Sequence, residues 1–171
     1  MTADIPKLVE KIGERLKLRT APVPQPDQRL SAILRDNIDR IVSRTLTAMK
    51  ADAALSQLSL SDEERIGNLG AVLRELADHL DSGEPNEGSE LLLRSARRRG
   101  EIRSAQQVPI DLMLRNERII EQVINNIIYE NLLAINLSYL FLDLGHLNDA
   151  LLLQFEESIR AYTHAERQRR N

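Results

Sequence analysis

The chain contains no cysteine and no tryptophan. The first absence excludes cysteine-ligated zinc and thiol catalysis, and it removes disulfides as a source of stability. At 171 residues the chain does not need them, because a protein of this size buries about 70% of its unfolded surface in one core. Histidine is nearly as scarce. His79, His146 and His164 are the only three; none forms an i, i+4 pair, and neither HExxH nor Glu-x-x-His occurs, so no helix-borne zinc or di-iron motif is present. His146-x-x-Asp149 is a poor substitute, and His146 beside Gly145 reads as a helix-start residue. A G-x-S-x-G elbow is missing, and serines near helix starts read as caps. The glycines of IGNLG, Gly67 and Gly70, lie in a helical stripe with no Lys, Ser or Thr after them, so they read as close helix packing rather than a phosphate loop. These exclusions together imply a protein that is not an enzyme and carries no metal or cofactor.

Long apolar runs are also lacking. The start, MTADIPKLVEKIGERLKL, is charged and amphipathic, which fits neither a secretory signal nor a membrane span and leads to a cytoplasmic expectation. With 23 basic and 26 acidic residues the net charge is −3, so no excess of Lys and Arg is available for a dedicated nucleic-acid surface. Hydrophobic residues at 42% and charged residues at 29% describe one globular domain.

What is present is helical periodicity, with no credible strand pattern. Ile5, Leu8, Val9, Ile12 and Leu16 mark an amphipathic helix over residues 1–18. The stretch RTAPVPQPD contains three prolines in five residues and predicts an extended spacer over 19–27. The remaining residues, 28–171, form the main domain. Leu30 to Met49 reads as one helix. Ser61-Asp-Glu-Glu64 is a capping-box pattern that opens another, running to a stop near Gly83 and the loop SGEPNEGS. A fourth helix spans about Ser89 to Gln107. Pro109 suits the first turn of a fifth, whose two apolar rows, Ile119, Ile120, Val123, Ile124, Ile127 and Ile128, make a face wide enough for a core and an oligomer interface. A shorter helix with a bend near Gly145 follows. The last helix buries Leu144, Leu147, Leu151, Phe155, Ile159 and Tyr162, then becomes wholly polar in THAERQRRN without a Gly or Pro stop.

The segment RGEIRSAQQVPIDLMLRNERII, Arg99 to Ile120, follows the pattern G-x-x-R-x-x-Q-x-x-P and then turns apolar. On Gly100, Arg103, Gln106 and Pro109 it resembles the N-terminal sensor domain of the RsbR/RsbRD type, over roughly Leu30 to Tyr162. Three positions depart from that family pattern: Arg99 stands where His is usual, Gln107 where Gly is usual, and Asn116 where Glu is usual. The resemblance implies an all-α, globin-like helical bundle without haem. It also implies a regulator of bacterial stress signalling or of histidine kinases, working as a sensory, dimeric interaction domain. Apart from the resemblance, the wide apolar face of the fifth helix and the detachable first helix lead to the expectation of a homodimer. The polar run-out of the last helix leads to that of an output end, joined to a signalling partner or a fused output domain in a chain that is a piece of, or derived from, a longer protein. The alternative is a small-molecule or haem-binding globin-like sensor. His79, between Leu76 and Leu80, is the best placed histidine for haem, but with two phenylalanines and no tryptophan the usual aromatic lining is thin.

Arg94, Arg97, Arg98 and Arg99, continued by Arg103, Arg115 and Arg118, offer contacts for an anion or an acidic partner. The favoured reading is a solvated helix face balanced by Glu90, Glu101 and Glu117. Arg103 and Gln106 stand one turn apart and face a common neighbour. Their replacement by Ala is expected to impair regulation or local stability, with no catalysis to lose.

Overall fold

The computed structural model describes residues 27–82 and 89–170. The amphipathic helix expected over 1–18, most of the 19–27 spacer and the stop at Gly83 lie outside the described residues. Within them the chain is an all-helical bundle with no β-strand; one isolated bridge joins Gln28 to Ile135. The elements are α1 (Leu30–Asp36), α2 (Ile38–Ala51), a 3₁₀ turn (Leu55–Gln57), α3 (Asp62–Ile66), α4 (Leu69–Ser82), α5 (Ser89–Ala105), α6 (Ile110–Glu130) and α7 (Leu137–Arg170). Among the described residues no helix is long and apolar enough to cross a membrane.

Two helices that periodicity joins are broken in the structure. The stripe Leu30, Ile33, Leu34, Ile38, Ile41 is buried on both sides of Asn37, so apolar spacing carries no trace of the break. Asn37 leaves the helical region at φ −113° and ψ 13°, and its side-chain amide donates to the Ile33 carbonyl at 2.9 Å, satisfying a group freed by the turn. The second break lies at Gly67, where φ is +55°. The space around a Cβ there is empty, so this glycine serves a left-handed turn and not the close packing expected for it. Gly70 does face a neighbour, with methyls of Ile38 and Val42 3.8–3.9 Å from a Cβ position. The capping box at Ser61 is formed: Ser61 Oγ accepts from the Glu64 amide at 3.2 Å, and the Ser61 amide donates to Glu64 at 2.8 Å.

The core lies where α1, α4, α6 and α7 converge, around Leu34, Leu73, Leu76, Ile124, Ile127 and Leu147. Both apolar rows of α6 are used there, since Ile120, Val123, Ile124, Ile127 and Ile128 are all buried. The width of α6 is therefore taken up by the core, and no second apolar face is left over from those rows. Gln28 accepts from the Asn136 amide at 2.9 Å, and Arg29 donates through two nitrogens to Asp143 at 3.0 and 2.7 Å. The start of α1 is thereby tied to the start of α7. Asp143 is only 1% exposed, and it also accepts from the Leu30 amide at 3.3 Å. Arg29 further lies 4.7 Å from the centroid of the Tyr139 ring.

α7 differs most from expectation. It is one continuous helix of 34 residues; Gly145 sits inside it with open space around its Cβ position, so there is no bend there and His146 does not start a helix. Its buried face is Leu140, Asp143, Leu147, Ala150, Gln154, Glu157 and Ser158. Of the six residues expected in the core, only Leu147 is fully buried, while Leu144, Leu151, Phe155, Ile159 and Tyr162 are partly exposed. The helix is rotated so that several polar side chains face inward and much of its apolar surface faces out.

Candidate functional site

Gly100 and Arg103 lie on the last two turns of α5, with Gln106 one residue past its end; Gly100 and Arg103 face different neighbours, and Gln106 pairs with Arg103. α5 and α7 run side by side in the same direction, with Arg97 paired to Glu157 and Ser104 to Glu166. Gly100 lies at the closest approach of the two helices. A Cβ on it would stand 2.1 Å from the Ser158 carbonyl oxygen and 3.0 Å from the Tyr162 amide nitrogen. Only glycine allows backbones this near each other.

Arg103 points the other way. Its guanidinium donates to the carbonyls of Glu64 (2.8 Å) and Arg65 (2.6 Å) and to the Gln106 side-chain oxygen (2.8 Å). The two carbonyls belong to the end of α3, where a five-residue helix leaves acceptors without intrahelical donors and where the dipole favours a cation. Arg65 repeats the device one step further along. It donates to Leu55 at 2.7 Å, Leu58 at 2.5 Å and Leu60 at 3.1 Å, holding the connection between α2 and α3 in place. Burial and then the Arg99 charge push the Arg103 pKa down. The group stays protonated all the same, and its three hydrogen-bond partners are all neutral acceptors.

The end of α5 places Gln107 in a conformation that favours glycine. The Gln107 amide donates to Ser104 O at 3.0 Å and the Val108 amide to Arg103 O at 3.1 Å, which is the Schellman closure of a helix C-terminus. The residue at its centre takes a left-handed conformation, and Gln107 has φ +55°. Glycine is preferred there because it lacks the Cβ that makes this region costly. We expect Gln107→Gly to raise unfolding stability by about 1 kcal/mol, read as an increased urea midpoint with unchanged slope. An unchanged or lowered midpoint would show that the turn is not strained. Pro109 caps α6 from outside, its carbonyl accepting from Leu112 at 3.0 Å and Met113 at 3.1 Å; it stands one residue before the first turn expected for it.

The arginine set does not form one face. Arg94 and Arg98 are exposed. Arg97 is paired with Glu157 at 2.6 Å and Glu90 at 3.6 Å. Arg99 turns inward and is only 12% exposed, with its Nε 3.7 Å from Glu117 on α6. Arg99, Arg103 and Arg65 together line a cleft with Glu117 and Asn116, over an apolar floor that includes Met49, Val108 and Met113. Arg99 and Asn116 thus face the same cleft. Arg65 and Glu117 were not expected as site residues; a lone Arg or Glu in a charged helix carries no periodic signal that separates an inward from an outward role.

No protein-family model, curated protein or solved structure matches this chain.

His79 lies on α4 between the buried Leu76 and Leu80. Burial, and after it the neighbouring His146 imidazole, hold its pKa below the usual histidine value, and its Nδ1 has no hydrogen-bond partner among the described residues. It does not line the arginine cleft. Among the described residues no group of three or more His, Asp or Glu is placed to hold a metal ion. The polar end of α7 is not free of the bundle. Ser104, fully buried on α5, accepts from Arg169 at 2.8 Å and donates to Glu166 at 3.3 Å.

Proposed function

We propose that this chain is a sensory or regulatory interaction domain that works as a homodimer and passes a change in its core to a signalling partner or output module through α7. The observation that carries the reading is the unpartnered apolar stripe on α7. Phe141, Leu152 and Phe155, with the small or polar Gly145 and Asn148 between them, recur at alternating steps of four and three residues. This is the spacing of a helix seam that packs against another helix. Phe141 is 83% and Leu152 57% exposed, and Leu151, Leu152 and Phe155 line an open groove with Ile120 of α6. Scattered surface hydrophobics need no explanation, but Phe141, Leu152 and Phe155 aligned on one line of the longest helix support an interaction surface, and two-fold pairing is the commonest way to cover one.

The globin-like arrangement and the bacterial stress-signalling setting rest on the resemblance carried by Gly100, Arg103, Gln106 and Pro109. A packed path supports the reading: α5 touches α3 through Arg103 and α7 through Gly100 and Ser104, so a shift at the cleft would have a route to α7.

Light scattering on the purified chain at about 10 μM, a scale at which weak association is visible, is expected to give twice the 19.4 kDa chain mass. Leu152→Glu with Phe155→Glu should give the single-chain mass while keeping the helical circular-dichroism signal. A monomeric parent protein at that concentration, or a double variant that still dimerises, rejects the α7 interface.

A further inference from the structure

The Arg99–Glu117 pair is incompletely satisfied for its burial. Arg99 is 12% and Glu117 20% exposed, yet their nearest approach is 3.7 Å, beyond a hydrogen bond. The Arg99 Nε is buried with no hydrogen-bond partner among the described residues. A buried donor left in this way is costly, and native structures seldom leave one without a reason. Arg103 and Arg65, which share the cleft, spend their donors on backbone carbonyls and the Gln106 side chain. Three cations therefore face the cleft against one carboxylate, and only Arg99 has its donors unassigned to the fold. The cleft is open to solvent on one side; its innermost free space is about 20 Å³, about the size of one water, and its floor is apolar.

We propose that the cleft binds a small aliphatic monocarboxylate, of two or three carbons, whose carboxylate takes Arg99 in place of Glu117 while its alkyl end rests on Val108 and Met113. Charge balance selects an anion, because the lining carries more cations than carboxylates. A single guanidinium that is paired but not hydrogen-bonded matches one carboxylate through a bidentate contact. A phosphate dianion would want further donors that Arg65 and Arg103 have already committed. The small inner space limits the ligand to a short chain, whose carboxylate takes the place vacated by that of Glu117 while the cleft stays open to solvent on one side. Glu117 is the internal competitor of the ligand. It also lines the α6–α7 groove, so the exchange turns a carboxylate toward the proposed dimer face. That consequence rests on the dimer reading, whereas binding itself does not.

The test is a titration of the full chain with sodium propionate, followed by amide chemical shifts, with sodium chloride at equal ionic strength and propionamide as controls. Saturable shifts at Arg99, Arg103 and Val108 are expected, with a dissociation constant on the order of 1 mM for so small a ligand and no response to propionamide. Arg99→Gln should weaken binding by at least roughly tenfold, the usual value of a charge-assisted contact. Glu117→Gln, which removes the competitor and keeps the shape, should tighten it several-fold, and this variant decides the matter if Arg99→Gln does not fold. Absence of saturation below about 30 mM, well beyond the expected constant, an equal response to propionamide, or Glu117→Gln binding no tighter than the parent overturns the proposal. Light scattering on the same samples separates the two readings, since a monomer that binds propionate through Arg99 rejects the dimer and leaves the site.

Discussion

Gly100→Ala is expected to lower the unfolding free energy by about 3 kcal/mol or more, at the upper end of what overpacking costs. The single added carbon would lie 2.1 Å from the Ser158 carbonyl oxygen. That neighbour is backbone in the middle of a 34-residue helix, so it cannot move aside as a flexible side chain would. Relief requires α5 and α7 to separate along their shared length, which strains the Arg97–Glu157 and Ser104–Glu166 contacts and opens the packing around Leu92 and Ala96, both buried. Urea denaturation of the parent and variant measures the loss. A midpoint within error of the parent would show that the two helices are not held so close in solution. Gly145→Ala, at a helical glycine with free space around it, serves as the contrasting control and should be stabilising by up to about 1 kcal/mol.

The second large effect is expected at Arg103. Arg103→Met keeps an unbranched side chain in the cleft but removes every donor, leaving the Glu64 and Arg65 carbonyls and the Gln106 amide oxygen without their partner. Each unsatisfied buried acceptor costs about 1–3 kcal/mol, so a total near 3 kcal/mol is expected after relaxation and water entry. The damage should be local. Hydrogen exchange is expected to accelerate over residues 55–66, which Arg65 and Arg103 hold together, while the amides of α4 and α6 keep their protection. Arg103→Lys should recover little, because one ammonium cannot reach three acceptors arranged around a planar fork. A loss below about 1 kcal/mol, the value of an ordinary single hydrogen bond, or exchange that accelerates uniformly over the chain, would mean that Arg103 does not organise this corner.

The two residues show why a short motif was legible while its reasons were not. Gly100 and Arg103 stand three apart on one helix, and the pattern marked both. One makes room for α7 and the other holds α3, partners about 60 and 40 residues away. The same holds for Gln107, which stands where the expected resemblance would have a glycine. Its cost became clear only with the left-handed φ and the two carbonyls that the turn satisfies.

By itself the sequence determined that the described chain is helical, where α5 begins and ends and where α6 begins to within a residue or two, the capping box at Ser61, and the apolar rows of α6. These follow from local steric and hydrogen-bonding rules that act within about one turn. Tertiary structure alone decided the breaks at Asn37 and Gly67, the inward turn of Arg99 and the rotation of α7. On α7 the apolar residues run nearly all round, so periodicity had no single face to select. The choice fell to Asp143 and Glu157, whose burial is tolerable only because Arg29 and Arg97 meet them from α1's threshold and from α5. A buried carboxylate needs a partner, and here the partners lie 114 and 60 residues away in the chain, beyond the reach of any local pattern. Their pairing turns the apolar stripe of α7 outward.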